Sequence, residues 1–183
     1  MRTLTLPCLA ALALLLGACE RPAIQPQVAP GKTLESLTVT SKTFSHGGRI
    51  PIDSTCDGKD KMPDLTWSAP PEGTQSIVVM IEDPDASSAT FTHLLVYDLP
   101  ADVHTLSGDD EGARGGSFGL NDFRATRYNG PCPPKGEAHR YRFRVVALDV
   151  KLGAREGLTR AEVDRKIDGH LLAEGTLTGI FGH

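Results

Sequence analysis

Residues 139–150, HRYRFRVVALDV, begin in such strict alternation of polar and apolar side chains that a β-strand with one face in a core is required. Successive side chains of a strand point to opposite faces. His139, Tyr141, Phe143 and Val145 therefore share one face, and Arg140, Arg142 and Arg144 share the other. A strand with one apolar face needs neighbours to pair with and a second layer to cover it. The neighbours are legible: SIVVMIED (76–83) is a short β-branched run, FTHLLVYDLP (91–100) repeats the pattern, and LTVTSKTF (37–44) alternates. Loops rich in Gly, Pro, Asp and Ser separate them, among them APPEGT, DPDASS and SGDDEGARGGS. The expected fold class is mainly β, a β-sandwich with a few peripheral helices. One helix is expected near the C-terminus. Thr159 to Glu162 has capping-box spacing, and Ala161, Val163, Ile167 and Leu171 fall near one helical face. A final strand follows at GTLTGIF.

The N-terminus is of another kind. MRTLTLPCLAALALLLGACE has one positive charge at Arg2, an apolar run and small residues before Cys19, the pattern of a secretory signal, too short for a membrane span. Leu16-Gly17-Ala18-Cys19 resembles the lipobox of bacterial lipoproteins. That resemblance implies a signal peptide over 1–18, lipidation of Cys19, and a membrane anchor that leaves the domain in the periplasm of the cell envelope. Residues 19–36, proline-rich and polar, read as an extended tether, and 37–183 as one domain. Loss of residues 1–18 removes Arg2 alone, leaving 18 basic against 23 acidic residues and a formal charge of −5. With no basic patch to neutralise phosphates, nucleic acid is excluded as a partner. Cys56 and Cys132 remain in the domain, either as a disulfide or as buried free thiols. A bridge would close a loop of about 76 residues, with a chain-entropy stabilisation of roughly 4 kcal/mol.

Counting by twos along the other strands groups Ile77, Val79, Ile81 and Asp83, and likewise Phe91, His93, Leu95 and Tyr97. Three strands thus each carry a titratable group at one end of an otherwise apolar face. If those ends converge, Asp83, His93, His139 and Tyr141 line a pocket. Each residue alone also has a structural explanation. Asp83 and Asp85 suit a turn about Pro84, a buried histidine is commonly a hydrogen-bonded core residue, Tyr141 suits a core, and Pro131, Pro133 and Pro134 stiffen a loop. Their coincidence at strand ends favours a site.

The ordered set STCDGKDKMPDLTW, EDPDASSATFTHLLVYDLP, NDF, YNGPCPPKGEAHRYRFRVVALD and IDGHLLAEGTLTGIF resembles the phosphatidylethanolamine-binding protein family, in its bacterial and archaeal branch often labelled Raf kinase inhibitor-like. The resemblance spans about residues 41–181. It implies a sandwich with a small anion pocket at one end that takes phosphate-type groups such as a phospholipid headgroup or another small phosphorylated ligand. Carried over by position, the ligand-binding set is Asp83, Asp85, His93, Gly130, Pro131, His139 and Tyr141, with the loop over 130–136 as a rigid wall offering backbone groups. Ser87, Phe91 and Leu94 depart from the family pattern around the pocket. The resemblance also makes Pro84 a candidate cis residue.

Two other readings compete with ligand binding. The resemblance also implies an inhibitor or regulator of a protease or kinase-like partner through protein contact, and export favours a protease or another envelope protein over a cytosolic kinase. Catalysis is less favoured. Asp83, Asp85, His93 and His139 include metal-ligand types, but no HExxH, nucleophile elbow or activated Ser or Cys is present. No catalytic residue, metal site or cofactor is expected.

Overall fold

A computed structural model describes residues 26–108 and 113–183. Its strands are β1 (Glu35–Ser36), β2 (Val39–Thr40), β3 (Leu65–Trp67), β4 (Ser76–Asp83), β5 (Phe91–Pro100), β6 (Thr105–Leu106), β7 (Ser117–Phe118), β8 (Ala138–Leu148) and β9 (Leu171–Gly182), with helix α1 (Arg160–Ile167) before the last. They form a six-stranded sheet in the order β1-β9-β8-β4-β5-β7 and a three-stranded sheet in the order β2-β3-β6. The fold is mainly β, as the alternation requires.

Every residue of β4 is buried, so the central strand is covered on both faces, which is what an uninterrupted apolar run demands. Ile77, Val79 and Ile81 pack between the two sheets with Leu65, Trp67, Leu94, Val96, Phe143 and Val145. Val78 and Met80 face the other way, into a second core with Leu95, Tyr97, Val146, Val163 and Ile167 beneath α1. In β8 the burial alternates through the arginines, then becomes continuous from Val145. The capping box at Thr159 and Glu162 forms in full. Ala161, however, is exposed and Leu171 opens β9, because Gly169 (φ 78°) turns the chain two residues after the helix.

The signal peptide, Cys19 and the first part of the tether lie outside the described residues. The remainder of that stretch is docked rather than free. Val28 bridges to Leu171, Ala29 is buried, and β1 runs parallel to β9 at Ala173 and Glu174. The outer edge of β9 offers unpaired backbone groups, and the segment satisfies them without needing a hydrophobic period of its own. The disulfide alternative holds: Cys56 is bonded to Cys132, with Cα atoms 5.5 Å apart.

Candidate functional site

Because β4 is antiparallel to both β5 and β8, its C-terminal end lies beside the start of each. Asp83, Asp85, His93, His139 and Tyr141 come together there around a cavity of about 280 Å³. Phe91, Phe123, Glu137 and residues 132–134 complete the wall. Gly130 and Pro131 stand behind that wall. The Gly130 N–H donates to Asp60 Oδ1 at 2.5 Å, and the Pro131 carbonyl accepts from the Cys56 N–H at 3.1 Å. A Cβ at Gly130 would meet the Ser54 carbonyl oxygen at 2.5 Å, so only glycine fits. Their backbone groups thus lock the proline-rich loop onto residues 54–60.

His93 reaches the cavity by a route that strict alternation does not foresee. Ile81 pairs with Leu94 but Glu82 with Thr92, so His93 is an extra, bulged residue. The bulge resets the parity of β5. Phe91 and His93 face the cavity, while Leu95 and Tyr97, expected on the same face, pack beneath α1. The His93 Nδ1–H donates to the Asn129 carbonyl at 2.7 Å. Burial pushes its pKa down, so near neutral pH His93 is uncharged and its Nε2 is a bare acceptor. Its ring meets Tyr141, Phe91 and Phe123 edge to face, with centroids 5.3–5.5 Å apart.

At His139 the environment favours the charged form instead. Its Nδ1–H donates to Asp83 Oδ2 at 2.8 Å and its Nε2–H to Glu137 Oε2 at 3.2 Å. The bond to Asp83, reinforced by Glu137, holds its pKa above the usual histidine value. Asp83 also accepts the Asp85 N–H at 2.8 Å, which closes the Asp-Pro-Asp corner. All peptide bonds among the described residues are trans, Pro84 included. The Asp85 carboxylate turns away to take Arg140 at both oxygens, at 2.9 and 2.6 Å, together with the Arg140 backbone N–H. These bonds hold its pKa below the ordinary carboxylate range.

Tyr141 Oη is buried beside Asp83 and the Cys132 backbone and interacts with both, but neither contact has the geometry of a full hydrogen bond. Burial and the Asp83 charge push the phenol pKa up, so it remains an O–H donor. Ser87 and Phe91, two of the departures from the family pattern, line the cavity. The third, Leu94, lies in the core between the sheets.

Glu137 and Phe123 were not foreseen. Glu137 was within reach, since it shares the parity of His139 and Tyr141 two residues upstream. Phe123 carries no such signal. It sits on a loop held to β5 by Asp122, whose Oδ2 accepts the Thr92 N–H at 2.6 Å. A second cavity of about 270 Å³, walled by Lys61, Met62, Leu106 and Tyr128, contains none of these strand-end residues.

With this geometry in place, comparisons with known proteins decide the family. The family model described as phosphatidylethanolamine-binding protein matches residues 40–182. The chain belongs to that family. The UPF0098 protein of Aquifex aeolicus is 43% identical over 150 residues, covering 79% of this chain and 88% of its own length. That of Methanothermobacter thermautotrophicus is 36% identical, with 79% and 98% covered. Among solved structures, a chain from Chlamydia trachomatis described as a phosphatidylethanolamine-binding protein homologue superposes with a TM-score of 0.75 at 34% identity, covering 81% of this chain and 99% of that one. E. coli YbcL, described as a new member of the mammalian family, gives 0.74 at 30%, with the same coverage.

Proposed function

We propose that this chain is an envelope-anchored binding protein whose strand-end cavity takes a small phosphate-type group, phosphoethanolamine-like in its pairing of charges. The observation that carries this reading is the Tyr141 hydroxyl in the cavity wall, buried without a full hydrogen bond, next to His139, whose charged form Asp83 and Glu137 favour. A buried donor without a full hydrogen bond is costly, and an anionic oxygen is the acceptor that would complete one. His139 offers its second N–H once the exposed Glu137 carboxylate gives way, whereas Asp83 is buried and stays in place.

The remaining groups favour a ligand that also donates. Neutral His93 presents an acceptor, and Asp83 and Glu137 repel a bare anion but suit an ammonium or a P–OH. The lipobox at Cys19 supports attachment to the envelope, with the domain in the periplasm.

The test follows the His93 and His139 ring signals by NMR while phosphate, then phosphoethanolamine, is added to the purified protein. Saturable shifts at both rings, lost in His139→Gln, are expected. No shift at millimolar ligand would overturn the anion reading and turn attention to protein contact, with half-exposed Phe123 at the cavity mouth as the first surface to probe.

A further inference from the structure

The back of the cavity wall holds a cluster that the anion site does not use. A ring nitrogen of His183 and the Sγ atoms of Cys56 and Cys132 all lie within 4.8 Å of one another. The imidazole is fixed in place. Its Nδ1 is 2.8 Å from Asp57 Oδ2, its Nε2 is 2.9 Å from the Pro133 carbonyl, and its ring meets Phe181 edge-on at 5.6 Å. Both cysteines are exposed, so reductants and ions reach them.

We propose that the dithiol form of the protein binds one thiophilic divalent cation of the zinc class through Cys56, Cys132 and His183. Two thiolates and an imidazole are a donor set that zinc favours, and tetrahedral bonds of about 2.0–2.3 Å place such donors roughly 3.5–4 Å apart. The imidazole nitrogen lies within 4.8 Å of both sulfurs, and the sulfurs, 2.09 Å apart in the disulfide, need only part to that spacing once reduced. The two loops are joined independently of the bridge, which keeps the Cα atoms, 5.5 Å apart, close when the sulfur pair opens. The Cys56 N–H bonds to the Pro131 carbonyl and the Gly130 N–H to Asp60, so the donors stay together after reduction. Whichever His183 nitrogen meets the metal, the other keeps its present acceptor, Asp57 or the Pro133 carbonyl, as ligating histidines do. Asp57 or water completes the four-coordinate shell.

The chemistry balances simply. The chain is synthesised with both thiols, and binding of M²⁺ releases their two protons to solvent. Starting from the disulfide, a phosphine with one water reduces it to two thiols and leaves as the phosphine oxide. Metal and disulfide are then alternative staples for one loop, and occupancy by the metal blocks oxidation.

The experiment uses the full chain with Cys8→Ser and Cys19→Ser, so that only Cys56 and Cys132 carry thiols, reduced with a phosphine that is then removed. Co²⁺ is titrated while the thiolate-to-cobalt charge-transfer band and the tetrahedral visible bands are followed. Saturation at one equivalent is expected, with displacement by Zn²⁺, no band from the oxidised protein, and affinity lowered about tenfold or more by His183→Ala. Near-UV circular dichroism of oxidised His183→Ala shows whether that variant keeps its fold, and His183→Gln repeats the measurement in a second variant. Absence of the thiolate band from the reduced protein would overturn the proposal. So would equal binding by the oxidised protein, which would place the ion on surface carboxylates, or unchanged affinity in both His183 variants.

Discussion

Glu82 and Asp83 are consecutive buried carboxylates on β4, and they face opposite sides of the same sheet toward different company. Glu82 lies under α1 among Arg142, Arg144 and Arg160, and that group is balanced further by Asp164 and Glu174. Its closest contact is with Arg160, which ties the helix to the sheet. Asp83 has one charged partner, His139, beside an open cavity and a hydroxyl without a full hydrogen bond. Arginine stays charged at every physiological pH, so the first cluster is permanently neutralised and holds structure. Histidine titrates and has a second N–H to offer, so the second cluster responds to a ligand and to pH. Burying a charge is compatible with either role; the partner decides which.

The largest effect that separates the two faces should come from Glu82→Ala. It leaves three partly buried guanidiniums without their shared carboxylate, and a loss of about 3 kcal/mol is expected in urea denaturation. Phosphate binding should persist in whatever fraction folds. A loss under about 1 kcal/mol would mean that the arginines are solvated without it and that the contrast between the faces is false.

His139→Gln should cost less stability, about 1 kcal/mol, because a neutral donor still reaches Asp83. Ligand-induced shifts should vanish altogether. Retained binding would move the anion handle elsewhere. Tyr141→Phe keeps the ring packing and removes only the hydroxyl. Stability should stay level or rise by up to about 1 kcal/mol while phosphate affinity falls several-fold, as isothermal calorimetry would record. A stability loss above that figure would show that the hydroxyl already has a structural partner.

Glu137→Gln is the mildest change. The side chain is exposed, so stability should shift by less than about 0.5 kcal/mol. Phosphate affinity should increase a few-fold, since no carboxylate competes for His139 Nε2. Weaker binding in this variant would assign Glu137 to ligand capture instead.

The pH dependence also separates the faces, and its sign follows from the direction of the shift. The His139 pKa is raised in the folded protein above the unfolded value of about 6.5, so its stabilisation is complete below that pH and is lost as pH rises through the folded pKa. His93, lowered by burial, acts at the other end. The folded state resists its protonation, so its neutral form destabilises the fold as pH falls below about 6.5.

Much of this comparison was legible in the sequence, because β4 and β8 are long, regular and paired without a slip over residues 76–82 and 142–148. Parity alone put His139 with Tyr141 and placed Arg142 and Arg144 on the opposite face. Parity failed at His93, where one bulged residue inverts the faces of Leu94 to Val96 before a second slip between Val96 and Leu99 restores them, and no residue type in FTHLLVYDLP announces either. The smaller sheet was legible only at LTVTSKTF, of which β2 keeps Val39–Thr40; β3 and β6 are two or three residues long, too short to show a period. The docked stretch before residue 37 was opaque because it pairs through backbone, which leaves little imprint on composition. Gly130 and Pro131 belong to the motif but face the loop behind the cavity, a distinction that spacing cannot make. The Glu82 cluster joins residues 78 positions apart through α1, a contact that only the fold creates.

The measurement that bears most directly on the central claim is the pH titration of the His139 ring by NMR, with and without saturating phosphate. If the ligand binds at the Nε2–H of an imidazolium, linkage requires phosphate to raise the His139 pKa further, while His93 remains neutral through the same range. A His139 pKa that stays unchanged or falls when phosphate is bound would contradict the account.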